Sequence, residues 1–167
     1  MRLSLLRHGI AADSGSPVYE HDSERPLTPK GERRMRRIAK GMQGSGLSYD
    51  LILSSPYLRT KQTAGIITQV LSTPEGIMLA ETLTPEGNPR QLIEVLRTEH
   101  RERQEVLLVG HEPYLSRLIS TLLTGGPNLS VVMKRGGLCM LDVETLRFGR
   151  CATLVSLLSP RHLRRLA

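Results

Sequence analysis

The sequence is poor in aromatic side chains: it has no Trp, one Phe and four Tyr, which make up 3% of its 167 residues. Proteins that bind single-stranded nucleic acid stack the bases on such rings, so this class of function is disfavoured. The formal net charge of +7 is nevertheless high, and a basic chain can bind an acidic or phosphorylated partner. We expect no nucleic-acid partner, and we expect the basic helix faces to be mainly solvated surface.

Cysteine is also scarce. The two cysteines, Cys139 and Cys151, lie in apolar runs and lack the spacing of metal ligands. They are expected to be small buried hydrophobic residues in a reducing compartment, without a disulfide. A loop cluster of His21, Asp22 and Glu24 lacks a further set of ligands that would complete a metal site. We therefore expect neither a metal nor a cofactor.

Long hydrophobic runs are absent. No apolar stretch approaches the roughly 20 residues of a membrane-spanning helix, so no membrane partner is expected. The N-terminus has one basic residue and a brief apolar run, unlike a secretory signal, which favours a cytoplasmic location. Length and composition are typical of one globular domain over residues 1–167, expected to be a monomer.

Short apolar runs alternate with amphipathic segments along the chain. The runs predict strands, and the segments predict helices that include a basic one in the tail. Strands are predicted at 2–7, 51–53, 77–79, 105–110, 138–143 and 151–158, and helices at 29–44, 56–71, 90–99, 114–123 and 160–167. The last two strands have a short link and should be antiparallel. The pattern predicts a three-layer α/β sandwich with a mostly parallel central sheet and helices on both faces.

Three of the predicted strands lead into residues suited to phosphate chemistry. Arg7, His8 and Gly9 follow the first strand, Arg59 lies in the first turn of the helix after the second, and His111 follows the fourth. Ligands of open α/β sheets bind beyond the carboxyl ends of the strands. Arginine offers a planar fork of donors to phosphate oxygens, and a neutral imidazole is a ready nucleophile. A glycine would let the backbone approach a ligand closely.

This set of residues fits phosphoryl transfer. The reaction needs positive charge around the phosphoryl oxygens and a nucleophile in line with the leaving group. Arg7 and Arg59 would supply the charge without a divalent cation, and one of His8 and His111 would be the nucleophile while the other donates to the phosphate. The chemistry alone does not assign the two histidines.

Several short motifs resemble those of the histidine phosphatase superfamily, in particular its SixA-type phosphohistidine phosphatases. The motifs run in the family order, and they are Arg7-His8-Gly9, Arg25-Pro26-Leu27-Thr28-Pro29-Lys30-Gly31, Ser54-Ser55-Pro56 with Arg59 and Gln62-Thr63, Leu83-Thr84-Pro85 with Gly87, and Gly110-His111. The resemblance implies a phosphoglycerate mutase-like fold. It also implies that His8 is the nucleophile, that Arg7, Arg59 and His111 hold the transferring group, and that Gly9 and Arg25 contact the substrate.

The leaving group distinguishes two substrate classes. An alkoxide leaving from a phosphate ester needs a general acid, whereas imidazole leaves far more easily. Glu81 and Glu86 are candidate acids, but neither clearly matches the position of the acid in the ester-cleaving relatives. The Leu-Thr-Pro pattern and the short chain resemble the phosphohistidine branch.

Three hypotheses follow from these observations. The first is a phosphatase that removes phosphate from phosphohistidine in a phosphorelay or other protein, and the second is a phosphatase of small phosphate esters such as sugar phosphates. The third is a catalytically silent module that uses its basic helix faces to hold an acidic partner or nucleic acid. For either enzyme we expect activity to fall on acidification, because a protonated His8 cannot attack phosphorus.

Overall fold

A mixed six-stranded sheet forms the centre of the protein, in a computed structural model that describes residues 1–73 and 75–167. Its strands are β1 (Arg2–Arg7), β2 (Leu51–Ser54), β3 (Met78–Leu79), β4 (Glu105–Gly110), β5 (Leu138–Val143) and β6 (Ala152–Leu158). Their order across the sheet is β3-β2-β4-β1-β5-β6. The pairs β1–β4, β2–β4 and β2–β3 are parallel, while β1–β5 and β5–β6 are antiparallel. The predicted mostly parallel sheet and the antiparallel final pair are confirmed.

Helices cover both faces of this sheet. They are α1 (Pro29–Gly44), α2 (Leu58–Leu71), α3 (Pro89–Glu99), α4 (Tyr114–Thr124) and α5 (Pro160–Leu163). One core cluster joins α3 and α4 to one face of the sheet, and a second joins α1, α2 and α5 to the other. Successive β1 residues divide between the clusters, Leu5 entering the first and Leu6 the second, because side chains of a strand alternate between faces. The three-layer α/β sandwich is confirmed.

The N-terminus of α1 follows from local sequence. Thr28 has an extended backbone, and its hydroxyl oxygen accepts a hydrogen bond from the Gly31 amide at 3.0 Å. Pro29 takes the first helical position, where its missing N–H leaves no donor unsatisfied. The buried face of the helix includes Met35 and Ile38, as the helical spacing predicts.

The predicted start of α2 is wrong. The helix predicted to begin at Pro56 begins at Leu58, after Tyr57. The reason is tertiary, because the Ser55 amide donates to the Val109 carbonyl oxygen and so extends the pairing of β2 with β4. The expected position of Arg59, in the first turn of α2, is confirmed.

The two cysteines are free. Cys139 is buried in β5, and burial raises the pKa of its thiol to about 12, while Cys151 is partly exposed. Among the described residues, no helix is both long enough and apolar enough to cross a membrane.

Candidate active site

The carboxyl ends of three parallel strands place the predicted histidines and arginines together. In register, Arg7 at the end of β1 lies opposite Gly110 at the end of β4, and Ser54 at the end of β2 lies opposite Val109. The amide of His8 donates to the Gly110 carbonyl oxygen at 3.1 Å, so the residue after β1 stays paired with β4. The residues that follow these strands therefore share one edge of the sheet.

A cavity of about 310 Å³ opens at this edge. Six of the residues expected to form the site line it, namely Arg7, His8, Arg25, Arg59, Glu86 and His111. Six further residues line the cavity and were not predicted to belong to the site, namely Ala11, Asp22, Tyr57, Pro85, Glu112 and Arg135. With neutral histidines, four arginines face three carboxylates here, so the cavity has a net positive charge suited to an anion.

His8 is held as a neutral ring with one nitrogen directed at Arg59. Its Nδ1 lies 2.7 Å from the Gly9 carbonyl oxygen. A carbonyl oxygen can only accept, so Nδ1 carries the hydrogen and Nε2 keeps its lone pair. The Arg59 Nε–H donates to that Nε2 at 3.3 Å. The nitrogen available to attack phosphorus is therefore Nε2.

The electrostatic environment of His8 opposes its protonation. Burial lowers the pKa of His8 to about 3, and the charges of Arg59, Arg7 and Arg135 lower it as well. The hydrogen bond to Gly9 has the opposite effect but is outweighed. The loss of activity on protonation of His8 remains a prediction, and the low pKa moves that loss below the ordinary imidazole range. The ring stays neutral, and able to attack, well below pH 6.

His111 lies next to His8, with 5.2 Å between the ring centroids, and is only 2% exposed. Its Nε2 lies 2.9 Å from the Ser55 hydroxyl oxygen, and the edge of the ring meets the Tyr57 ring. Burial lowers the pKa of His111 to about 3, with smaller contributions from His8 and Arg59. Its buried Nδ1 has no hydrogen-bond partner within the described chain, so a ligand oxygen would satisfy it.

Arg59 is buried and is oriented by Asp22. Its Nη1 donates to the Asp22 carbonyl oxygen at 2.6 Å and its Nη2 to the Asp22 carboxylate at 2.7 Å. The other carboxylate oxygen accepts from Nε of Arg25 at 2.7 Å, so Asp22 bridges two arginines. Desolvation raises the pKa of Asp22, but the hydrogen bonds and charges of Arg25 and Arg59 outweigh it and lower the pKa.

Arg7 is anchored from the opposite side of the cavity. Its Nη1 donates to the Met133 carbonyl oxygen at 2.7 Å, while its buried Nε has no partner among the described residues. Burial lowers the pKa of Arg7, and the charge of Arg135 adds to this effect. One donor of the Arg7 fork is thus used for positioning, and others remain for a ligand.

Gly9 lies behind the cavity rather than on its surface. A β-carbon at this position would lie 2.7 Å from Met35 Cγ and 3.1 Å from Leu27 Cδ2. The Gly9 amide donates to Thr63 Oγ1, and its carbonyl oxygen holds His8. The structure therefore requires glycine here for packing against α1, while contact of Gly9 with a substrate remains a prediction.

The two candidate acids, Glu81 and Glu86, differ in their position relative to the cavity. Glu86 lines the cavity, where its carboxylate accepts from the Tyr57 hydroxyl at 3.1 Å. Glu81 is exposed, in a short 3-10 helix (Glu81–Leu83), and is not among the residues lining the cavity. Of the pair, only Glu86 is placed to meet a substrate.

Some residues that support the histidines and arginines were not predicted from the sequence. Asp22 was assigned to a polar surface loop, although its position three residues before Arg25 allows the observed ion pair. Ser55 lies in the Ser54-Ser55-Pro56 motif and Tyr57 in the predicted helix 56–71, but neither was predicted to be a neighbour of His111. Within the described chain, no group of three or more His, Cys, Asp or Glu side chains is arranged to hold a metal ion.

Comparison with known proteins identifies the family. A model of the histidine phosphatase superfamily (branch 1) matches residues 3–81. The chain is 32% identical over 127 residues to phosphohistidine phosphatase SixA of Escherichia coli, covering 75% of this chain and 76% of that protein. It is also 35% identical over 139 residues to an uncharacterised protein of Picosynechococcus sp., covering 83% of this chain and 82% of that one.

A solved structure agrees with these matches in sequence. The protein histidine phosphatase SixA complexed with tungstate superposes with a TM-score of 0.83 at 27% identity, covering 98% of this chain and 99% of that one. The resemblance inferred from the motifs, and the phosphoglycerate mutase-like α/β fold that it implied, are confirmed. The chain belongs to the histidine phosphatase superfamily, in its SixA-type branch.

Proposed function

We propose that this protein removes phosphate from phosphohistidine in a protein substrate, through a phosphorylated His8 intermediate. The observation that carries the proposal is the state of His8. Its Nδ1 is committed to the Gly9 carbonyl oxygen, and its neutral Nε2 is directed at the Arg59 guanidinium beside an arginine-lined cavity. A nucleophile and donors for phosphoryl oxygens therefore occur together, as such a reaction requires.

The first step transfers the phosphoryl group to the enzyme. His8 Nε2 attacks phosphorus, a new P–N bond forms, and the P–N bond to the substrate imidazole breaks. The departing imidazole takes its proton from water. The N–H groups of Arg7 and Arg59, together with Nδ1–H of His111, donate hydrogen bonds to the phosphoryl oxygens. These hydrogen bonds stabilise the negative charge on the oxygens.

The second step regenerates His8. Water attacks the phosphorus of phospho-His8, the P–N bond breaks, and inorganic phosphate leaves with the oxygen of that water. Nε2 recovers its lone pair while Nδ1 keeps its hydrogen on Gly9. The whole cycle consumes one water and needs no oxidant, reductant or metal.

The environment of Glu86 favours phosphohistidine over an ester. General-acid carboxyls are usually buried in apolar surroundings that keep them protonated near neutral pH. Glu86 is exposed, and its carboxylate accepts the Tyr57 hydroxyl hydrogen bond. A substrate with imidazole as leaving group does not require such an acid. The relative from Escherichia coli is named as a phosphohistidine phosphatase, which agrees with this choice.

The test is phosphate release, with a chelator present, from a panel of phosphohistidine, phosphoserine and phosphotyrosine peptides and several sugar phosphates. We expect release from the phosphohistidine peptide alone. His8→Ala should lower the rate by at least about 10³-fold, whereas His100→Ala, a matched change outside the cavity, should leave it unchanged. Rapid quenching should trap an acid-labile phosphoryl group on the wild type and none on His8→Ala. Release that survives His8→Ala would refute the mechanism.

The second candidate function is hydrolysis of a small phosphate ester. It is favoured by one observation, which is that Glu86 lines the cavity together with His8 and His111. If an ester is the better substrate, Glu86→Gln should lower kcat for that ester by about 10²-fold or more, while Glu81→Gln leaves it unchanged. Equal rates for the two variants would exclude Glu86 as the acid.

A further inference from the structure

Two segments of the chain together account for the net positive charge of the protein. The segment 29–44, which forms α1, contains six Lys and Arg against one Glu, and the tail 160–167 contains three Arg and no Asp or Glu. The rest of the chain contains 14 Lys and Arg and 15 Asp and Glu, so its charges nearly cancel. The basic character of the protein is thus confined to two segments, which pack against each other where Gly41 of α1 meets the Leu163 carbonyl oxygen.

Five side chains of these segments form what we call the basic face. Lys30, Arg33, Arg34, Arg37 and Arg164 line one shallow depression of about 290 Å³. Seven ion pairs join side chains in the described part of the molecule, and none of them includes a member of this face.

Two details show that the face lacks counter-charges. The buried Nε of Arg34 has no hydrogen-bond partner among the described residues. Burial lowers the pKa of Arg34, and the neighbouring charge of Arg164 lowers it further. Clustered like charges repel each other in the free protein, so an anionic partner would bind here with a gain in electrostatic free energy.

The two helices that carry the basic face pack against a segment that reaches the cavity containing His8. Arg135 lines that cavity, and the next residue, Gly136, packs so closely on α1 that a β-carbon there would lie 2.6 Å from Ile38 Cδ1. The same position is 3.8 Å from Pro160, the first residue of α5. The segment 134–136 therefore bridges the rim of the cavity and the two helices that carry the face, and Lys134 adds a further positive charge.

We propose that the basic face docks a carboxylate-rich surface of the protein that carries the phosphohistidine. The inference rests on the proposed function, since it names what that substrate must present beside its phosphorylated side chain. Four of the five side chains are arginines, whose planar forks bind carboxylates in a bidentate manner.

Features of the two segments disfavour other anionic partners. Neither 29–44 nor 160–167 contains a Trp, Tyr or Phe on which a base could stack. α1 has no exposed large apolar side chain for insertion among lipid tails, and the tail has one, Leu166. A surface of protein carboxylates requires neither feature.

The experiment compares two phosphohistidine peptides that differ only in flanking residues, six glutamates in one and six glutamines in the other. The test variant is Arg33→Glu/Arg37→Glu, which changes exposed residues outside the cavity. Arg101→Glu/Arg150→Glu makes the same change in net charge away from the basic face. We expect the wild type and this control to show a KM roughly tenfold lower for the glutamate peptide at low salt, and the test variant to show no preference. Turnover of free phosphohistidine should be the same in all three proteins.

A binding measurement separates this inference from the proposed function. Fluorescence anisotropy with the unphosphorylated glutamate peptide reports docking without catalysis. Binding that is lost only in the test variant supports docking, even if no phosphohistidine is hydrolysed and the proposed function fails. Equal KM values for the two peptides in the wild type would overturn docking. Tighter binding of duplex DNA or of phosphatidylglycerol vesicles, lost in the same variant, would also overturn it.

Discussion

The buried neutral state of His8 makes the stability of the protein depend on pH in a specific way. In an unfolded chain a histidine has a pKa of about 6.5, whereas burial and three arginines lower the pKa of folded His8 to about 3. Between these values the unfolded state binds a proton that the folded state does not. The free energy of unfolding therefore rises with pH across this window and falls on acidification below about pH 6.5.

The magnitude follows from the shift in pKa. Each pH unit within the window changes the free energy of unfolding by about 1.4 kcal/mol for one such histidine. pH 5 is about 1.5 units below the unfolded pKa. At this pH His8 should lower the free energy of unfolding by about 2 kcal/mol relative to pH 7.5. The pKa of His111 is lowered to the same value, so the two rings together should cost about 4 kcal/mol.

The perturbation is His8→Asn, which keeps an amide donor for the Gly9 carbonyl oxygen but cannot be protonated. Urea unfolding at pH 7.5 and pH 5 measures the free energy of unfolding of both proteins. On acidification this free energy should fall by about 2 kcal/mol less in the variant than in the wild type. Thr28→Ala is the control, because it removes the cap of α1 and should destabilise by about 1 kcal/mol equally at both pH values. If the wild type and His8→Asn lose the same free energy on acidification, His8 is not a buried neutral ring and the reasoning fails.

Three further predictions concern the surroundings of His8. Asp22→Asn should lower the inhibition constant of inorganic phosphate by roughly three- to tenfold, because it removes a negative charge that bridges Arg59 and Arg25; an unchanged constant in competition assays would refute this. Gly9→Ala should lower the free energy of unfolding by about 1–3 kcal/mol, since the added methyl overlaps Met35, and thermal unfolding beside wild type measures it. The rate at which phosphoramidate phosphorylates the enzyme in single-turnover assays should not fall between pH 8 and pH 6, because His8 stays neutral there, and a fall with an apparent pKa near about 6.5 would contradict the low pKa of His8.

Much of the fold could be predicted because its signals are local and periodic. The apolar runs at 2–7 and 105–110 form central strands, and Thr28-Pro29 starts α1, as residue type and spacing indicate. Parallel strands align their carboxyl ends, so the sequence also indicated that Arg7, His8 and His111 share one edge of the sheet. The extent of the domain, the monomeric state and the cytoplasmic location remain predictions.

The sequence by itself thus determined the layers, the strand ends and the principal reactive side chains, because periodicity and strand direction are written in neighbouring residues. Only the tertiary structure decided which groups support them. Asp22 meets Arg59 across 37 positions, and Ser55 meets His111 across 56, contacts that no local pattern encodes. The low pKa of His8 depends on burial and on the charges of its neighbour Arg7 and of two distant residues, Arg59 and Arg135. These are properties of the folded environment, which exists only after the strands and helices have packed together.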